Sequence, residues 1–246
     1  MRKGMVGVVL LLAAAAARAE NSSGSEVMAA MDAAMTRADS QFMEYEAIVE
    51  QNGTKKRSMR FRVTVKGEKR RRVDFVAPGD VKGMKILMLS PEQMYVYMPA
   101  YRKVRRVASH VKEQGFMGSS YTQDEMAIVR FGDFFDAKLI EETEKQWILA
   151  ATLRSGREFP FPRLEIEVRK DVQQPSEVRF YNAEGQKIKT ELRREYTCKG
   201  KICNPRRLVM TDHSRGELKT PLRRRLWKVN VGAPDSYFSL RALQRR

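Results

Sequence analysis

An apolar residue at every second position, repeated in segment after segment, restricts this chain more than any other feature. Met59, Phe61, Val63 and Val65 alternate with Arg60, Arg62, Thr64 and Lys66. Met94, Val96 and Met98 alternate with Tyr95 and Tyr97, and Leu164, Ile166 and Val168 with Glu165, Glu167 and Arg169. Successive side chains of a strand point to opposite faces, so the pattern makes strands that are apolar on one side and wet on the other. Asn52-Gly53, Lys66-Gly67, Ser155-Gly156, Glu184-Gly185 and Arg215-Gly216 fall between the runs and supply turn chemistry. Strands that follow one another with few helical stretches between them predict an antiparallel meander, here of about ten strands.

Two stretches break the period. Ser25 is placed to cap a helix from Glu26 that brings Val27, Met28, Met31, Ala34 and Met35 to one face. Thr122-Gln123-Asp124-Glu125 has the pattern of a capping box and predicts a helix from Gln123 to about Phe131 with Met126 and Val129 turned inward. Its early carboxylates suit the positive end of the helix dipole. Two short helices are little cover for the apolar face of so many strands. Either the sheet curls on itself, or it leaves a hollow that the helices only roof. Such a hollow can hold an acyl chain. Its candidate wall and lid residues are Met31, Met35, Phe61, Val63, Tyr95, Tyr97, Phe116, Met117 and Met126. The alternative for the methionines is ordinary core packing.

Arg2 and Lys3 precede an apolar run from Met5 to Ala17, and Ala17-Arg18-Ala19 fits the small-x-small cleavage pattern. Residues 1–19 therefore read as a signal peptide and 20–246 as a single exported domain, undivided by repeats or low-complexity linkers. An N-terminal membrane anchor is the alternative, although the run is short for a span. The formal net charge is +17. For an exported protein the polyanions within reach are lipid headgroups, lipopolysaccharide and cell-wall polymers, and no nucleic-acid partner is expected. Within the basic run 102–107, Lys103, Arg105 and Arg106 are candidates for contact with anionic headgroups or a membrane surface. The bland reading is an edge strand kept soluble by its charge.

Cys198 and Cys203 flank a Lys-Gly-Lys-Ile turn, and in an oxidising compartment a disulfide across a hairpin is the simplest account. His110 and His213 are the only histidines and lack ligand spacing, so neither a metal nor another cofactor is expected. The segment Phe116–Tyr121 is neither a phosphate-binding loop nor a serine nucleophile elbow. No carboxylate stands alone in an apolar setting that would tune it as an acid. The expectation is a binding protein and not an enzyme.

Three segments, in order, resemble the outer-membrane lipoprotein-sorting proteins of the LolA-like superfamily: FVAPGDVKGMKILML (75–89), MYVYMPAYRKVRRV (94–107) and GFMGSSYTQDEM (115–126). NPRRLVMTD (204–212) and the ending with Phe238 and Leu243 sit where that family keeps similar segments. Ser120 departs from it, standing where an aspartate is common. The resemblance implies a fold of the α+β class, mostly β: a curled antiparallel sheet, an unclosed half-barrel, with short helices covering the concave apolar face. It implies a periplasmic carrier that shields lipid or lipoprotein acyl chains, working beside an inner-membrane lipid-exporting transporter. A periplasmic sensor that binds the same ligands and signals through a partner would share the fold. An envelope protein that holds cell wall or lipopolysaccharide by charge is the other alternative, and its filled core would leave no elongated apolar cavity.

Overall fold

The computed structural model describes residues 23–107 and 115–245. The expected leader, 1–19, and His110 lie outside them. Among the described residues thirteen strands form one antiparallel sheet, where the alternation suggested about ten. The chain enters it in the middle. From β1 (Ser40–Gln51) it steps outward through β2 (Thr54–Lys66), β3 (Arg70–Ala77), β4 (Lys85–Ser90) and β5 (Gln93–Met98) to an edge at β6 (Lys103–Arg106). It then crosses to the far edge, β7 (Phe135–Glu142). From there it returns through β8 (Gln146–Leu153), β9 (Arg163–Arg169), β10 (Gln174–Tyr181), β11 (Lys187–Lys199) and β12 (Ile202–Asp212) to β13 (Leu218–Val229), which pairs with β1. The edges β6 and β7 do not pair, so the barrel is unclosed. On the way to β7, residues 115–134 run over the concave face.

Register explains why one face is apolar. Trp227, Met43, Val63, Val73, Ile86, Val96 and Arg105 stand directly opposite one another from β13 to β6. Directly opposed residues share a face. A one-residue slip would send the whole row to solvent, so the apolar pattern itself holds the register.

Helix α1 (Gly24–Met35) lies under β7, β8, β10 and β12 and fills that half of the concave face with Val27, Met28 and Met31. Its cap is Ser23 and not Ser25. The Ser23 hydroxyl accepts from the Glu26 amide at 3.2 Å while Glu26 accepts from the Ser23 amide at 2.6 Å. The start moves back because Glu26 stands three residues after Ser23 and completes a capping box, whereas Met28 stands three after Ser25; Gly24 fits beside β7, where a Cβ would stand 2.4 Å from the Leu139 nitrogen. Buried Asp32 then accepts from the Phe131 and Gly132 amides, both at 2.8 Å. Burial pushes its carboxyl up against those two bonds. Asp32→Ala would strand both donors, and we expect it to lower the unfolding free energy by about 2 to 4 kcal/mol in urea titration.

The same contact ends the second helix early. α2 spans Gln123–Ala127, with the Thr122–Glu125 capping box in place. It stops four residues short of Phe131 because Ile128 turns extended (φ −63°, ψ 118°) and the backbone at 131–132 donates to Asp32. A third helix, α3 (Leu240–Gln244), packs on the outside of the sheet. Leu243 and Phe238 cover Leu87 there, together with Tyr95, Tyr97 and Val104. Tyr95 and Tyr97 therefore face away from the concave side. Their period is that of the strand, but the C-terminal segment gives the outer face an apolar partner that alternation cannot reveal.

Cys198 and Cys203 are disulfide-bonded across the β11–β12 hairpin, where they are direct partners. So short a loop contributes about 2 kcal/mol by loop-closure entropy. Cys198→Ser should lower the unfolding free energy by about that amount in urea titration.

Candidate functional site

Where α1 ends, the filling ends. The concave face of β1–β4, with β11–β13 beside it, surrounds a cavity of about 250 Å³. Met43, Met59, Phe61, Val63, Val73 and Ile86 form its floor, and Met35 closes the side next to α1. Three rings, Tyr45, Phe61 and Phe75, run across neighbouring strands with centroids 5.8 and 5.4 Å apart. The run ends on Phe116, 5.7 Å from Phe75, which descends from the crossing segment.

That segment is a plug. Met117 and Gly118, at φ 54° and 76°, reverse the chain, and the Phe116 amide donates to the Tyr121 carbonyl at 2.7 Å to close the loop. Left-handed backbone is costly for methionine but free for glycine, so the turn is held by its surroundings. Ser120 supplies the hold. Its amide donates to Thr220 Oγ1 and its hydroxyl to the Met210 carbonyl, both at 2.9 Å. The departure from aspartate at this position thus leaves a fully buried anchor.

The plug rests on a row of charge inside the barrel. Lys189, Glu191 and Arg193 alternate along β11 and all face inward. Lys189 Nζ donates to Glu125 Oε1 at 2.7 Å and to the Ser120 carbonyl at 2.8 Å, with Asp212 Oδ2 3.8 Å away. The Tyr121 hydroxyl donates to Glu191 Oε1 at 3.2 Å, and Arg193 holds the other Glu191 oxygen at 2.6 Å. Burial raises the Glu125 carboxyl, while Lys189 pulls it back down. Burial and the neighbouring Glu191 carboxylate lift the Tyr121 phenol well above its usual range. Arg71 of β3 reaches the helix from the other wall, donating to the Met126 carbonyl. These bonds hold α2 down by polar groups, over a floor that is mostly apolar.

Of the proposed cavity and lid residues, Met35, Phe61, Val63, Phe116 and Met126 line the hollow together. Met31 is sealed in the filled half, fully buried. Met117 packs against the cavity-side core without lining the cavity. Tyr95 and Tyr97 lie on the outer face. Lys103, Arg105 and Arg106 are exposed on the edge strand. Lys103 and Arg105 stand opposite Met98 and Val96 and thus share the concave side at the rim; Arg106 stands opposite Tyr95 and faces outward. Arg71, Lys189, Glu191 and Arg193 were missed by alternation, which assigns charge to the wet face. The signal present is their order: a Lys-x-Glu-x-Arg spacing puts alternating charges on one face, where they can neutralise each other and a plug. Among the described residues, no three His, Cys, Asp or Glu side chains are grouped to hold a metal ion.

A family model described as "-like: Uncharacterized protein" matches residues 67–245. The chain belongs to that family. No curated protein matches it. Solved structures supply the fold. A DUF1329 family protein from Desulfovibrio piger superposes with a TM-score of 0.82 at 23% identity, covering 89% of this chain and 97% of its own. An outer membrane lipoprotein-sorting protein domain from Vibrio parahaemolyticus gives 0.79 at 20% identity, covering 90% and 98%. A LolA superfamily protein from Nitrosomonas europaea gives 0.74 at 18% identity, covering 90% and 99%. The fold is thus LolA-like, as the segments at 75–126 implied.

Proposed function

We propose that this protein is a periplasmic carrier that takes the acyl chains of a lipid or lipoprotein into the cavity and shields them on the way to the outer membrane. One observation carries the reading: the sheet is filled by α1 on one half and left hollow on the other, under a plug tied by polar bonds. A filled-core envelope protein would have no such hollow. Apolar walls with polar groups gathered at one side suit an amphiphile and offer no constellation for bond chemistry. The LolA superfamily and lipoprotein-sorting neighbours support the reading through shared fold. Among the described residues no helix is long and apolar enough to cross a membrane. The leader pattern at 1–19 supports export, and an inner-membrane lipid-exporting transporter is the donor we expect. The exposed Lys103 and Arg105 at the rim suit an anionic membrane surface during exchange.

The test is transfer. Purified protein should move fluorescent phospholipid from donor to acceptor vesicles at a rate proportional to its concentration, and lipid should be found by mass spectrometry in protein isolated from its own host. Binding without transfer would make it a sensor; neither binding nor transfer would end the carrier reading.

A further inference from the structure

A second hollow, of about 350 Å³, adjoins the cavity, and Arg71, Met88 and Val129 line both. It lies between the β2–β3 turn, the β4–β5 turn and the segment that leads from α2 to β7. Its chemistry is the reverse of the cavity's. Four cations, Lys69, Arg71, Arg130 and Arg157, meet there with three carboxylates, Glu68, Glu92 and Asp133. Two guanidinium donors on its walls are buried and have no hydrogen-bond partner among the described residues: Arg71 Nε, and Arg130 Nε, whose nearest carboxylate, Asp133, makes an ion pair without a hydrogen bond. Arg71 uses Nη1 on the Met126 carbonyl. Arg130 uses Nη1 on Glu68 Oε1 at 2.6 Å, and Asp133 Oδ1 stands 3.6 Å from its Nε, too far to accept. Arg157 lies over the Phe134 ring, exposed at the rim like Lys69.

Buried charged donors left unmet are expensive, and their usual complement is an anion with several acceptor oxygens. A planar guanidinium matches such an oxyanion better than it matches a single carbonyl. Arg71 stands where the apolar floor stops, beside Met88 in register and next to Val65. A chain lying along that floor with its end at Arg71 would deliver its head into the polar hollow. We propose that this vestibule is a phosphate-type anion site that receives the head of an amphiphile whose chain occupies the cavity. The proposal rests on the carrier reading and adds the ligand's charge and the place of its head.

The experiment uses the full mature chain and three probes of separate chemistry: hexadecyl phosphate, hexadecyl maltoside and inorganic phosphate, each titrated calorimetrically. Hexadecyl phosphate should bind at least about tenfold more tightly than the maltoside, a difference of about 1.4 kcal/mol. Arg130→Gln should shrink that preference to about twofold or less. The Lys69→Gln/Arg157→Gln double variant changes only exposed side chains, so it should fold and should cut the preference part-way. Equal affinity for both heads in the unmodified protein, or a preference that survives in both variants, overturns the site. If neither amphiphile binds, the carrier reading fails by itself. The vestibule then stands only if inorganic phosphate binds and Arg130→Gln abolishes that binding; without it the site falls too.

Discussion

Lys189→Met should lower the unfolding free energy by about 3 to 5 kcal/mol, the cost of leaving buried carboxylates without their cation. Lys189 is nearly fully buried, as are Glu125 and Asp212, its two acidic neighbours. The loss should be read by urea unfolding and should depend on pH in a defined direction. Burial already holds the Glu125 carboxyl above its ordinary value, with Lys189 opposing. Without Lys189 the folded value rises further. A raised folded value means that stability is whole below the unfolded value and is lost as pH rises through the folded one. The variant's deficit should therefore be larger at about pH 7.5 than at about pH 5. Replacing Glu125 by Gln and Asp212 by Asn in the same chain should recover much of the loss, since no buried charge is then stranded. A variant as stable as the parent at neutral pH would show that the interior charges are hydrated and do not hold the plug.

Val63→Trp should weaken the binding of a long-chain amphiphile sharply, with little harm to the fold. Val63 sits mid-floor between Met43 and Val73 and lines the cavity, so the larger ring would enter existing space. Overpacking usually costs about 1 to 3 kcal/mol in a full core, and a hollow one should suffer less. Affinity for a long-chain amphiphile should fall by about tenfold or more, against a change in thermal midpoint of a few degrees. Uptake that survives would place the ligand elsewhere. Val178→Trp is the control: Val178 is fully buried in the half that α1 fills, and there the same ring should unfold the protein.

Local signals were legible where one element answers to its own residues. The capping box at Thr122–Glu125 starts α2 as its residue types require, since both bonds lie within four residues. The β11–β12 disulfide follows from spacing across a turn. The Ser23–Glu26 box is equally local, and its two reciprocal bonds set the start of α1 at Ser23 and not Ser25; what lies over a hundred residues away in sequence is the β7 backbone that Gly24 fits against. The same distance hid the end of α2, because Asp32 takes the amides that would have continued the turn. Tyr95 and Tyr97 were misplaced for a related reason: the outer face they occupy is apolar only because α3 and Phe238 return to cover it.

By itself the sequence determined the period of the strands, their antiparallel succession and the turns between them, because a two-residue period and a turn's backbone are properties of neighbouring residues. It did not determine which half of the curled face would be filled and which left open. Only the tertiary structure decided that, by laying α1 under β7, β8, β10 and β12 and stopping it at Met35, short of the β1–β4 floor. Nor could periodicity show that Lys189, Glu191 and Arg193 face inward, since a strand's two faces look alike until something packs on one of them. Ser120, Tyr121 and Glu125 do so here, and their hydrogen bonds make a charged row stable inside an apolar barrel.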